Sequence, residues 1–169
     1  MNFRRVQSFA IACGVVALTS TPKAVAATAT ATLAVSATVT SNCTISTTAL
    51  AFGSYDPVVT HASANLDGTG TVVIACTKGA AATIGLNTGS NASGTTRRMA
   101  NGTDYLTYEV YKETGRSTVW GNTGTERYDA GTAPSSAAQT FTVYGRVTGG
   151  QTSAPAGSYA DTLTATVNF

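Results

Sequence analysis

Apolar and hydroxyl side chains alternate with unusual regularity at two places in this chain. From 27 to 39 the odd positions are Ala27, Ala29, Ala31, Leu33, Val35, Ala37 and Val39. The even positions from 28 to 40 are Thr or Ser, except Ala34. The pattern returns at Leu163, Ala165, Val167 and Phe169, interleaved with Thr162, Thr164, Thr166 and Asn168. A period of two places one row on each face of an extended strand, so each run predicts a strand with one apolar face. Strands usually run about five or six residues, and a mature N-terminus normally frays. The first run therefore needs a groove to receive its apolar face. The pattern alone equally suits the first and last strands of a sandwich closed on itself.

Between these runs, short alternating stretches are broken by Gly, Asn, Asp and Pro. They predict strands at Cys43–Phe52, Thr71–Cys76, Ala82–Leu86, Gln139–Val147 and Asp161–Phe169, and a short one at Ser117–Trp120. Arg97–Ala100 and Asp104–Lys112 flank Asn101-Gly102, the signature of a hairpin with a type I′ turn. Tyr55-Asp56-Pro57 and Asp67-Gly68 read as turns. Gly121–Ser136 reads as loop, with local pairing at Glu126–Asp129. No stretch of ten residues keeps a helical period, so the expected class is all-β, a sandwich or barrel. Phe52, Tyr55, Phe141, Tyr144, Tyr159 and Phe169 supply aromatic core candidates.

The start of the chain changes the counts. Arg4 and Arg5 precede an apolar stretch, Phe9–Leu18, and Ala24-Val25-Ala26 fits the small-x-small rule of a secretory signal. Ten apolar residues fall short of the roughly 20 a membrane span needs. The expected organisation is a signal peptide at 1–26, an N-terminal donor strand at 27–40 and a sandwich at 41–169. Cleavage after Ala26 removes Arg4, Arg5 and Lys23, leaving seven basic residues against eight acidic ones, and net charge falls from +2 to −1. Nucleic-acid binding then has no electrostatic support. Cys13 leaves with the signal, and Cys43 and Cys76 remain in an oxidising compartment. A disulfide between them is the obvious pairing, and in the chain-entropy model it contributes roughly 3–4 kcal/mol. The alternative is free thiols or metal ligands, for which His61 is the sole histidine and zinc needs two more ligands.

Catalysis finds little purchase. His61 lies in a Thr-His-Ala-Ser loop without an acidic neighbour and reads as an exposed loop residue. The carboxylates are few, and none is placed as an acid/base pair. Gly121–Gly124 lacks the lysine of a phosphate loop. No cofactor is expected. Tyr105, Tyr108, Tyr111 and Trp120 offer a stacking platform for carbohydrate, against which stands their use in packing.

Three segments carry a family resemblance: Asn42-Cys43-Thr44-Ile45, then Leu50-x-Phe52-Gly53-x-Tyr55-Asp56-Pro57, then Gly157-x-Tyr159-x-Asp161 continuing to Phe169. Together they resemble the spore coat protein U domain, a family that includes pilins of archaic chaperone–usher systems. The resemblance spans the whole mature chain. It implies an immunoglobulin-like sandwich lacking its last strand, with a groove beside the C-terminal strand. It further implies that a periplasmic chaperone lends a strand to that groove. At an outer-membrane usher, the N-terminal extension of the next subunit displaces the chaperone. The donor residues are then Ala31, Leu33, Val35, Ala37 and Val39, and the acceptor edge is Leu163, Ala165, Val167 and Phe169. Cys43 and Cys76 match the family disulfide. The implied function is a shaft or minor subunit of a pilus for attachment and biofilm formation. Its partners are copies of itself or related pilins, and it passes through the periplasm to the cell surface. The donor departs from expectation in being rich in alanine. A self-contained secreted binding module, for carbohydrate or as a coat or surface protein, is the alternative.

Overall fold

The computed structural model describes residues 22–169. The signal expected at 1–26 lies, up to residue 21, outside the described residues. The chain divides into two units after Ala37. Residues 22–42 form no regular element and are exposed throughout. The donor expected at 27–40 is therefore not a strand here. A strand is defined by its ladder, and this segment has no hydrogen-bonded partner strand.

The second unit carries eight strands in two sheets. They are β1 (Cys43–Ala51), β2 (Leu66–Cys76), β3 (Ala81–Leu86), β4 (Arg97–Asn101), β5 (Asp104–Tyr111), β6 (Tyr128–Thr132), β7 (Gln139–Val147) and β8 (Ala165–Asn168). A single 3-10 turn covers Gly124–Glu126. One sheet has the order β1-β2-β7-β5-β4 and the other β6-β3-β8, with antiparallel pairing throughout. The fold is all-β and sandwich-like. Its core is built from alternate residues of the strands: Val72, Ile74, Ile84, Leu86, Leu106, Tyr108, Val110, Val143 and Val147.

Two buried groups tie the sheets together. The Trp120 indole is fully buried and donates to the Ile84 carbonyl at 2.9 Å. Its backbone N–H donates to Val110 on β5, while Gly121 O accepts from Leu86 on β3. Arg97, only 3% exposed, donates to the carbonyls of Leu86, Asn87 and Trp120 and pairs with the Glu109 carboxylate. The guanidinium thus joins β4, the end of β3, the Trp120 segment and β5.

Several elements depart from the sequence expectation. Asp67-Gly68 is not a turn but part of β2, because the Asp67 carboxylate is held by Arg146 across the ladder at 2.8 and 2.9 Å. Ser117–Trp120 forms no strand and makes a single bridge, Val119 to Tyr111. In the β4–β5 hairpin Asn101 pairs with Asp104, so the loop residues are Gly102 and Thr103. Gly102 alone of these two has positive φ, at 61°. Those are the φ signs of a type II′ turn, not type I′.

Candidate functional site

The two sheets are open along one side. β1 is an edge of the larger sheet and β8 an edge of the smaller, and among the described residues no strand is paired between them. The gap is an apolar groove in two continuous sections. One, of about 390 Å³, runs between Thr47–Phe52 and Tyr159–Ala165 over a floor of Val72, Leu86, Tyr108 and Val143. The other, of about 880 Å³, is lined by Tyr55, Pro57, Leu66, Leu106, Ala154 and Pro155, among others. Leu50, Phe52, Met99 and Tyr159 line both.

Glycines shape the β1 wall. The register of β1 on β2 shifts between Thr48 and Ala51, and the bulged end crosses Gly70 and Gly145. A Cβ on Gly70 would stand 3.0 Å from both Thr48 O and Leu50 N. One on Gly145 would stand 2.7 Å from Leu50 Cδ2 and 2.8 Å from Phe52 Cζ. The bare backbone lets Leu50 and Phe52 lie close over the sheet, and Phe52 meets the Tyr108 ring edge-on at 5.9 Å between centroids.

The opposite wall is fastened along its outer side. Ala160 exchanges backbone hydrogen bonds with Ala100. The Thr162 and Thr164 carbonyls accept from Ser90 and Asn87, and Asn87 Oδ1 accepts from the Thr164 N–H at 2.8 Å. The even residues therefore direct their backbone groups outward. By the alternation of an extended chain, Leu163 and Ala165 direct theirs toward the groove. Asp161 accepts from the Tyr108 hydroxyl at 2.7 Å and from both nitrogens of Asn91. Burial, and then this carboxylate, push the Tyr108 phenol well above its ordinary value.

The Leu50–Pro57 motif forms the groove's far end. Asp56 accepts from the backbone N–H groups of Val58, Val59 and Thr60, which hold its carboxyl below the usual range. The Tyr55 hydroxyl donates within reach of the carbonyls of His61 and Thr148 and accepts from the Gln151 N–H. His61 is not the exposed loop residue expected. It is 8% exposed, stacked on Tyr55 at 5.0 Å, and its Nδ1 accepts from the Asp56 N–H. Pro57 and the turn bring it inward, which a Thr-His-Ala-Ser context does not disclose.

Of the proposed site residues, Leu163 and Ala165 line the groove and Val167 packs on the core, while Phe169 is 55% exposed. Leu33, Val35 and Val39 are 88%, 86% and 82% exposed. Ala31 and Ala37 are exposed too. Cys43 and Cys76 form a disulfide between register partners on β1 and β2, with Cα atoms 4.1 Å apart. That removes them as free thiols or metal ligands, and among the described residues no cluster suited to a metal occurs. The aromatic platform is not assembled. Tyr108 and Trp120 are core residues, Tyr111 is half-buried, and Tyr105 lies under the Arg98 guanidinium at 3.8 Å. The β1 wall was not anticipated as a part of the site. The Leu50-x-Phe52 alternation was its only signal.

Fold and groove together define a β-sandwich with one side left open to an added strand. A family model described as the Spore Coat Protein U domain matches residues 29–166. Protein U of Myxococcus xanthus is 41% identical over 159 residues, covering 85% of this chain and 87% of that protein. The chain belongs to the Spore Coat Protein U domain family. A solved structure is similar as well: a chain of the CsuC–CsuE chaperone–tip adhesion subunit pre-assembly complex, from the archaic chaperone–usher Csu pili of Acinetobacter baumannii. It matches with a TM-score of 0.57 and 25% identity over 78% of this chain. The match covers 40% of that chain's length.

Proposed function

We propose that this protein is an exported structural subunit of a chaperone–usher pilus. It polymerises when the segment 27–39 of one copy, or of a related pilin, enters the groove of the next. The observation that carries this reading is the groove itself. It is an apolar trough bounded by two unpaired sheet edges, in a chain whose preceding segment alternates with the period such a trough accepts. Burying each of Leu33, Val35 and Val39 is worth about 1.5–3 kcal/mol gross. Each ladder hydrogen bond adds about 1 kcal/mol, before association costs. The contact is heterologous, so it propagates as an open fibre. A periplasmic chaperone holds the groove until an outer-membrane usher passes the subunit on, and the polymer serves surface attachment and biofilm formation. No catalytic role is assigned.

The test is deletion of residues 27–39 in a protein expressed in the periplasm. The shortened subunit should bind its chaperone yet fail to polymerise, and a synthetic peptide of residues 27–40 should occupy its groove. Polymerisation of the deletion variant at the normal rate would refute the proposal. A coat or surface protein is a second reading, favoured by the family's name. It shares the strand addition and differs in where the polymer lies, which immuno-electron microscopy of the producing cells distinguishes.

A further inference from the structure

The next inference rests on the strand-addition reading and concerns its register. The donor's apolar row is mostly alanine, so a slip of two residues keeps the correct face inward and changes little in the pockets. Something else must choose among the even-numbered slips.

Among the described residues, the Nδ2 of Asn168 is a buried side-chain nitrogen without a hydrogen-bond partner. Leaving a buried donor unpaired is costly, so such an atom marks a place where a partner is expected. Asn168 stands on β8 opposite Thr83 of β3, and the other edge of β8 is unpaired. Ala165 and Val167 pack on the core. Alternation therefore places Asn168 with Thr166 in the opposite, outward row.

A strand added to that edge with its apolar face inward must bring its own outward row alongside. In the segment 27–40 that row is Thr28, Thr30, Thr32, Ala34, Ser36, Thr38 and Thr40. A hydroxyl both donates and accepts, so it serves either end of a carboxamide. The fold already uses hydroxyl pairing across a ladder: Thr48 and Thr71, register partners on β1 and β2, stand 2.7 Å apart through their hydroxyls. Ala34 is the one member of the donor row without a hydroxyl.

We infer that Asn168 sets the register of the incoming strand of a second copy by hydrogen-bonding one hydroxyl of its outward row. Registers that bring Ala34 beside Asn168 leave the carboxamide unpaired and are selected against. The inward row supplies affinity, and the outward row supplies choice.

The test uses the full-chain protein with an excess of fluorescent peptide 27–40, following peptide release. Asn168→Ala should release the peptide about five- to tenfold faster. In a peptide series, each Thr is replaced by Val and Ser36 by Ala. One position should reproduce that factor on the unaltered protein and add nothing on Asn168→Ala, the mark of a coupled pair. If the peptide binds but Asn168→Ala releases it at the unaltered rate, the inference fails and strand addition stands. If the peptide does not bind the unaltered protein, strand addition fails and takes the inference with it. Should Asn168→Ala not fold, the peptide series decides alone: equal effects at every hydroxyl position overturn the inference.

Discussion

Arg97 shows what a single residue can carry in a chain so poor in charge. Its guanidinium answers three backbone carbonyls and one carboxylate in a space closed to water. Removing one partner of a buried ion pair typically costs about 3–5 kcal/mol, because the other is left uncompensated. Arg97→Met should lower the urea midpoint accordingly. Arg97→Lys should recover only part of the loss, since an ammonium lacks the planar fork that reaches several acceptors at once. The sequence offers Arg97 merely as the first residue of a hairpin strand. Its burial follows from the meeting of four elements, which no local pattern encodes. The carboxylates add a pH dependence. Hydrogen bonds from Val58, Val59 and Thr60 lower Asp56, and the Arg146 guanidinium lowers Asp67, each from an ordinary 3.8. A depressed folded value stabilises above the unfolded value and is lost as pH falls through the folded one. Stability should therefore decline below about pH 4. Asp67→Asn should flatten that decline in urea titrations, whereas a profile unchanged from the parent would rule out the Asp67–Arg146 pair as a contributor. Tyr108 acts at the other end: a raised phenol stabilises fully below 10.0, and that contribution is lost as pH rises beyond it.

At the scale of elements, β1 is the piece on which the groove depends. Its first half is fixed to β2 by ladder and disulfide, and its second half leaves the register and bends over glycines. Gly70→Ala should be costly, since the added carbon meets the β1 backbone at 3.0 Å rather than a side chain that can turn away. Overpacking of this kind costs about 1–3 kcal/mol. The variant should also bind the peptide 27–40 more weakly, because moving β1 moves one groove wall. Unchanged peptide affinity with lowered stability would mean that β1's bend does not shape the site. Alternation made β1, β3, β5 and β7 legible almost to their ends. β2 was shortened because Asp67-Gly68 carries turn chemistry, and only the partner Arg146, far away in sequence, makes that aspartate acceptable in a ladder. The Ser117–Trp120 run alternates like a strand, yet its single bridge leaves it a connector between sheets. The C-terminal alternation marked one groove wall. The other wall was hidden, because a bulge breaks the period where β1 bends.

For the whole molecule, the question is how a groove this large is filled by a donor with so few large side chains. The wider section is about 880 Å³ and the narrower about 390 Å³, while the donor row before Leu33 is alanine alone. Burial energy scales with apolar area removed from water, so the gain concentrates at Leu33, Val35 and Val39. The alanines gain less but let the strand backbone come close to the walls. A charge should therefore be tolerated very differently along one strand. Leu33→Asp should abolish polymerisation, because the carboxylate would enter an apolar trough without a partner. Ala29→Asp, near the donor's start, should slow it much less. Sedimentation of purified polymers reads both. Equal effects of the two substitutions would mean that the donor is held by its backbone ladder alone, and the apolar groove would then owe its shape to another occupant, such as the chaperone's strand.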